Sequence, residues 1–390
     1  MSEFQASNFK KENGGTPDLL GKTELTSPYF FVPPSGTTAE RPESCAPGTL
    51  RFNTDIGTLE VFRGDTIGWV QIQRRESQYL GGGTGSNAGT GTRAAFAGGY
   101  TGPSPYPTGD TIDFITVSTF GNAQDFGNLA NSGTVTHACA SSTRGLFHTL
   151  NSRHINDTNK IDFITFSSTG NVTDFGDLSL SRGGPGNGGC GSSTRGLFGS
   201  GITYSLPNAF FKNTIDYVTI AQTGNAVDFG DHSQARGDIA ALSSTTRGVF
   251  AGGYTPSNVN TIDFVTIATL GDASDFGDLG NGRNRIGTAS NSTRGLYFGG
   301  QQPSLVNTIE FVTIASTGNA TDFGDTTVTK RHATAASDPT RAVCAGGNNP
   351  AMDNIIESVT ISTTGDAIDF GDLTDERYSF GGCSNGHGGL

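Results

Sequence analysis

Residues 285–325 read RIGTASNSTRGLYFGGQQPSLVNTIEFVTIASTGNATDFGD, and from about residue 92 onward the chain repeats this unit. The tripeptide Asp-Phe-Gly begins at Asp125, Asp174, Asp228, Asp275, Asp322 and Asp369, at spacings of 49, 54, 47, 47 and 47 residues. A Thr-Arg pair keeps step with it, its arginines at Arg93, Arg144, Arg195, Arg247, Arg294 and Arg341. Two independent markers holding one order through six copies identify a supersecondary unit that stacks on its own neighbours.

Each unit holds four short β-like runs. In the quoted copy, a is 286–289, b is 295–298 and ends at Gly299-Gly300, c is 308–315 and d is 320–323. Ser-Thr-Gly-Asn between c and d is hairpin-turn chemistry, and no run has helical spacing or length. Strand c decides the packing. In TIDFVTIA (261–268), Ile262 and Phe264 point to one side and Val265 and Ile267 to the other, so the sheet must be covered on both faces. Small four-stranded sheets stacked around an axis supply that cover, whereas an open solenoid of this period would need polar caps. The last residues choose between them. CSNGHGGL (383–390) aligns with CASSTRGL (139–146) as a strand a with no b, c or d after it. The first unit has b, c and d, but only a weak a in Gly-rich 80–92. The expectation is an all-β chain: a six-bladed β-propeller over 92–390, closed by the C-terminal strand.

Ahead of the repeats, 1–38 is polar and broken by Pro33-Pro34, with one apolar patch at Tyr29-Phe30-Phe31-Val32, and reads as an extended arm. Over 39–75 the runs 50–53, 58–62 and 69–72, joined by turns at 54–57 and 63–68, read as a small β-meander. So short a module buries little core by itself and should pack on a partner, on sister copies or on the repeats. A Gly-rich linker over 76–91, containing GGGTGSNAGTG (81–91), reads as a flexible connection or an extra paired strand.

Composition narrows the function. Gly is 58 of 390, and the charged fraction is 15% against the roughly 25% usual for soluble domains, as short strands and tight turns require. With 26 Phe, two Met and one Trp, the core is built from Phe, Ile, Val and Leu. A net charge of −12 argues against nucleic acid as a partner. No stretch is long and apolar enough to insert in a membrane, and MSEFQASNFKKENGG lacks a secretion leader's apolar region, so synthesis in a cytosol is expected. Five cysteines include Cys139, Cys190 and Cys383 at matching places in three units, read as small buried thiols.

The order Arg, apolar a, apolar b ending in Gly-Gly, strand c, then an aromatic in d resembles the kelch repeat over about 92–390. The doublet stands at Gly98-Gly99, Gly252-Gly253, Gly299-Gly300 and Gly346-Gly347, but units 2 and 3 carry His148-Thr149 and Gly199-Ser200 instead. Phe also stands where kelch usually has Trp. Separately, GTLRFN (48–53), its acidic turn and closing Trp69 resemble the short β modules of bacteriophage virion appendage proteins over about 36–72. Together these imply a virion structural protein, a tail fibre, head fibre, adhesin or capsid decoration, present in several copies or as a homo-oligomer. It would dock to other virion proteins through its N-terminal segment and display the propeller to a host-surface glycan or protein. A glycan-degrading propeller enzyme of a phage appendage is the alternative, and an intracellular kelch scaffold a third reading.

No catalytic, cofactor or metal site is expected. His137, His148, His154, His232, His332 and His387 form no HxH or HExxH pattern, and DFGD at 228–231 and 369–372 lacks calcium-loop spacing. Gly382-Cys383-Ser384-Asn385-Gly386 spells a nucleophile elbow without the helix it needs, and Arg63-Gly64-Asp65 is a plain turn. The repeated arginines and Asp-Phe-Gly aspartates are expected to make one structural Asp–Arg contact or turn cap per unit, rather than a charged ring. Chain reversal puts the a–b and c–d loops on one face, where they are monotonous, and the b–c and d–a loops on the other, where they vary. Recognition should sit on the variable face. Its candidates are Tyr100, Tyr106, Arg153, His154, Tyr204, Phe210, Phe211 and Tyr254.

Overall fold

In the computed structural model, residues 33–42, 45–55, 58–65, 68–71, 91–103, 105–150, 158–184, 187–205 and 208–390 are described. They divide into two units, 1–77 and 78–390, each taken by itself. The apolar patch at 29–32, the run 81–90, Arg153 and His154 lie outside the described residues. So does the side chain of Tyr204, though its backbone pairs with Ala209.

The first unit holds the three expected strands, Leu50–Asn53, Thr58–Phe62 and Trp69–Gln71, antiparallel to one another, with Ser35–Gly36 added in parallel. A 3₁₀ turn at Thr38–Glu40 lies within what reads from sequence as arm and module start. The Arg-Phe-Asn of the motif has a physical reason. Arg51, Asn53 and Glu60 are buried, Asn53 Nδ2 donates to Glu60 Oε1 at 3.1 Å, and Arg41 donates to the same carboxylate. The Arg41 hydrogen bonds hold that carboxyl below its usual range. Phe62 and Trp69 pack at 5.4 Å on the apolar side.

The second unit is all-β, with six four-stranded antiparallel sheets and no α-helix among the described residues. In order a-b-c-d, the first sheet is Gly381–Ser384, Arg93–Ala97, Thr111–Thr116 and Gln124–Asn128. The second is Thr134–Ala140, Arg144–Leu150, Thr158–Thr165 and Thr173–Arg182. The third is Gly189–Gly191, Arg195–Ser205, Asn208–Thr219 and Val227–Asp231. The fourth is Ala240–Ser243, Arg247–Ala251, Thr261–Thr266 and Ser274–Asp278. The fifth is Gly287–Ser290, Arg294–Phe298, Thr308–Thr313 and Thr321–Asp325. The sixth is Thr334–Ser337, Arg341–Asn349, Ala351–Thr360 and Ile368–Asp372. As the alignment of 383–390 requires, the last strand pairs with the first unit's b, Gly381 opposite Ala97 and Ser384 opposite Ala94.

Both faces of each sheet are used. Ile262 and Phe264 pack toward the fifth sheet with Val312 and Ile314, while Val265 and Ile267 pack toward the third with Cys190 and Leu197. A comparable cluster lies between every consecutive pair, and another joins the sixth sheet (Val343, Ile356, Phe370) to the first (Phe96, Ile115, Val117). The a strands contact each other in the same succession, including the sixth with the first and the first with the second. Each buried Phe of these clusters contributes about 1.5–3 kcal/mol.

The repeated motifs are inter-sheet fasteners, but not the pair expected. No Thr-Arg arginine bonds an Asp-Phe-Gly aspartate among the described residues, and Asp125, Asp174, Asp228, Asp275, Asp322 and Asp369 are all exposed. Each arginine donates instead to a carbonyl just past strand c of the next sheet. Arg93 reaches Phe166, Arg144 Ile220, Arg195 Ile267, Arg247 Ile314 and Arg294 Ile361, at 2.7–3.1 Å. Arg341 of the sixth sheet reaches Val117 of the first at 2.9 Å. The guanidinium also lies over the aromatic of its own strand c, as Arg247 does over Phe264 at 4.6 Å. The sixth sheet has Ser358 at that place, and Arg341 takes Phe120 from the first sheet at 4.2 Å.

Candidate ligand-binding site

The a strands line a cavity of about 50 Å³, with small side chains including Cys139, Cys190 and Cys383. Burial pushes these thiols up, well away from thiolate chemistry. At the downstream ends of the a strands, Ser243, Ser290, Ser337 and Ser384 each donate a hydroxyl hydrogen bond to the carbonyl of the neighbouring a strand. Ala140 and Gly191 have no hydroxyl to continue the series. Here the final residues cross the opening: His387 Nε2 donates to the Ala140 carbonyl at 2.8 Å, and Gly389 packs against Gly191. Ahead of the a strands, Asn187 ties the third sheet to the fifth and sixth, its Nδ2 donating to the carbonyls of Ile286 (3.3 Å) and Ala333 (3.1 Å).

The b–c and d–a loops meet at the Asn187 end, through backbone bridges such as Tyr100 with Tyr378, Asn284 with Gln301 and Arg331 with Asn348. They gather the sequence candidates into two groups. Tyr100 and Tyr106 lie 6.1 Å apart, with Tyr378 at 5.0 Å from Tyr100; Phe211 and Tyr254 lie 5.9 Å apart, beside exposed Phe210. Tyr100 is 7% exposed, so it supports the group rather than presenting a surface, while Tyr106 is 48% exposed.

Residues that sequence reasoning missed form the rim itself. Two positions before strand a stand Asp238, Arg285, His332 and Ser379, 47 residues apart each time. All four are left-handed, with φ of 54–58°, a conformation that disfavours side chains. They run in series: Arg285 N–H donates to Asp238 O, His332 N–H to Arg285 O, and Ser379 N–H to His332 O. The signal was present, because equivalent places in a monotonous repeat here carry four different chemistries. Arg285 Nε donates to Asp238 Oδ2 at 3.3 Å and its Nη1 to Gln301 Oε1 at 2.7 Å. Arg331 Nη1 donates to the same Gln301 oxygen at 2.5 Å, while its Nε is buried without a partner. His332 and Tyr378 rings stand 5.7 Å apart.

A second unread series lies beneath. Arg182, Arg236, Arg283, Lys330 and Arg377 are buried against the strand-c acids Asp216, Asp263, Glu310, Glu357 and Asp113. The second sheet breaks the pattern: Gly133 stands in the cation's place, and Asp162, 8% exposed, has no hydrogen-bond or ion-pair partner among the described residues. Burial raises its carboxyl to about 6. Nearby, Thr136, His137 and His148 bond one another. Among the described residues no three His, Cys, Asp or Glu converge as a metal site.

No protein-family model matches this chain, and no curated protein matches it either.

Proposed function

We propose that this chain is a structural protein of a bacteriophage particle, a tail or head fibre component or a decoration protein. In this reading residues 78–390 form a closed, kelch-like six-bladed β-propeller displayed for binding a host-surface glycan or protein, and 36–72 supply attachment to other virion proteins. Closure is supported by the pairing of Gly381–Ser384 with Arg93–Ala97 and by the sixth sheet's arginine reaching into the first.

The observation that carries the functional reading is the contrast between the two ends of the sheets. At one end every turn is the same fastener. At the other, the d–a and b–c loops bring Tyr106, Tyr378, Arg285, Arg331 and His332 to a single rim on a rigid scaffold. That is the economy of a binding head rather than of an enzyme, whose reacting groups would stand outside the repeat in a cleft of their own. The attachment role is supported by the buried Arg51–Asn53–Glu60 network, which gives GTLRFN and its paired strand a folded module. Mass spectrometry of purified particles tests it: the chain should be found in virions at multiple copies, and its absence from them ends the proposal.

A further inference from the structure

The rim carries a charge imbalance. Arg285 and Arg331 converge on the oxygen of Gln301, and the one carboxylate among these groups, Asp238, pairs with Arg285. Among the described residues no carboxylate lies within ion-pair distance of Arg331, although it is half-buried and its Nε is fully shielded. Two guanidiniums against one carboxylate leave one positive charge, in a chain whose net charge is −12. Holding two arginines together, partly out of water, is unfavourable unless an anion completes the set. The backbone there is held left-handed at Arg285 and His332, where glycine would relieve the strain but supply no side chain.

We propose that Arg285, Arg331 and Gln301 seat the carboxylate of an acidic saccharide, with Tyr378 and Tyr106 offering ring faces to the sugar. The excess of one charge matches a monoanion, and a planar carboxylate accepts parallel bonds from a guanidinium. Tyr378 stands beside His332 and Tyr100, and Tyr106 projects at the tip of its loop, so apolar ring surface borders the charged seat. This deepens the display reading and rests on it only for where the saccharide is met.

Isothermal titration of the full chain with three probes tests the site: a glucuronate-containing tetrasaccharide, the same tetrasaccharide with its carboxyls reduced to alcohols, and inorganic phosphate. The acidic tetrasaccharide should bind, and the other two should bind at least about tenfold more weakly, the worth of one charge-assisted hydrogen bond. Arg331→Gln should weaken the acidic probe about tenfold with an unchanged thermal transition, and Tyr106→Ala, at an exposed tip, should weaken it without touching the charges. Equal binding of the reduced probe or of phosphate, or undiminished binding by both variants, overturns the proposal. Failure here with the chain present in virions leaves the display reading standing, whereas binding with the chain absent from virions removes that reading alone.

Discussion

At the scale of single residues, Asp162 is the informative exception. The other five strand-c acids are buried against a cation, and removing one partner of such a pair strands the other. Asp263→Asn should therefore destabilise the protein by about 3–5 kcal/mol at pH 7, leaving Arg236 uncompensated. Asp162→Asn should do the reverse. Its carboxyl, raised to about 6 by burial, disfavours the folded state wherever it is ionised. The folded form takes up the proton first, so the variant's advantage should be largest at pH 7 and shrink as pH falls through 6. Urea unfolding of both variants at pH 7 and pH 5 checks the signs. Arg247→Lys should cost about 1–3 kcal/mol, since an ammonium cannot both cover Phe264 and hold the Ile314 carbonyl in the same geometry. The Thr-Arg pair was legible as structural, but its partner was not. The acceptor is a main-chain carbonyl of another sheet, and main-chain atoms leave no mark in a sequence.

Strands and turns were read more closely than side-chain partners, because their period and turn chemistry are local. The c–d turn shows what local reading leaves out. Gly318 N–H donates to Phe276 O of the preceding sheet, and Asn319 Oδ1 accepts from Asp278 N–H at 3.0 Å. The Gly-Asn that reads as a hairpin turn is thus also a clip between sheets. Glycine in Asp-Phe-Gly has the matching reason: a Cβ on Gly277 would stand 2.5 Å from Gly318 O, at a φ of 145°. Gly277→Ala should accordingly destabilise the protein, the clash and the strained φ outweighing the roughly 0.4–1 kcal/mol that such a change gains elsewhere, because backbone of two sheets would have to part. Chemical denaturation gives the net change directly. The rim residues were not legible for a related reason: the charged groups sit two residues before strand a, in loops whose variation carries no local pattern.

For the molecule as a whole, the two ends of the repeat region depend on each other. Asn385 Oδ1 accepts from Arg93 N–H at 2.7 Å, doing for the first sheet what Ser141 Oγ does for Arg144 in the second. A single turn is built from segments 292 residues apart. His387 adds the bond to Ala140, with its Nδ1 accepting from Gly389 N–H, an arrangement only the neutral ring can make. Burial holds His387 below its ordinary 6.5. The unfolded chain therefore binds the proton first as pH falls below 6.5, and the share of the stability of 385–390 that the neutral His387 ring supplies is present above that value and declines beneath it. Removing 385–390 should lower the thermal transition more at pH 7.5 than at pH 5, as scanning calorimetry would show. Sequence alignment located this last strand, since 383–390 has the letters of a strand a. It gave no hint of the contacts of His387 and Gly389, which stand where Ala140 and Gly191 lack hydroxyls.

Building one sheet from both ends has a further consequence during refolding. Until Gly381–Ser384 arrives, Arg93–Ala97 is a free edge whose backbone groups facing away from Thr111–Thr116 are on offer. An identical strand from a second molecule fits that edge equally well, and in a concentrated solution it arrives sooner. Chains exchanging this strand head to tail would form open domain-swapped strings, each bond native in register and wrong only in ownership.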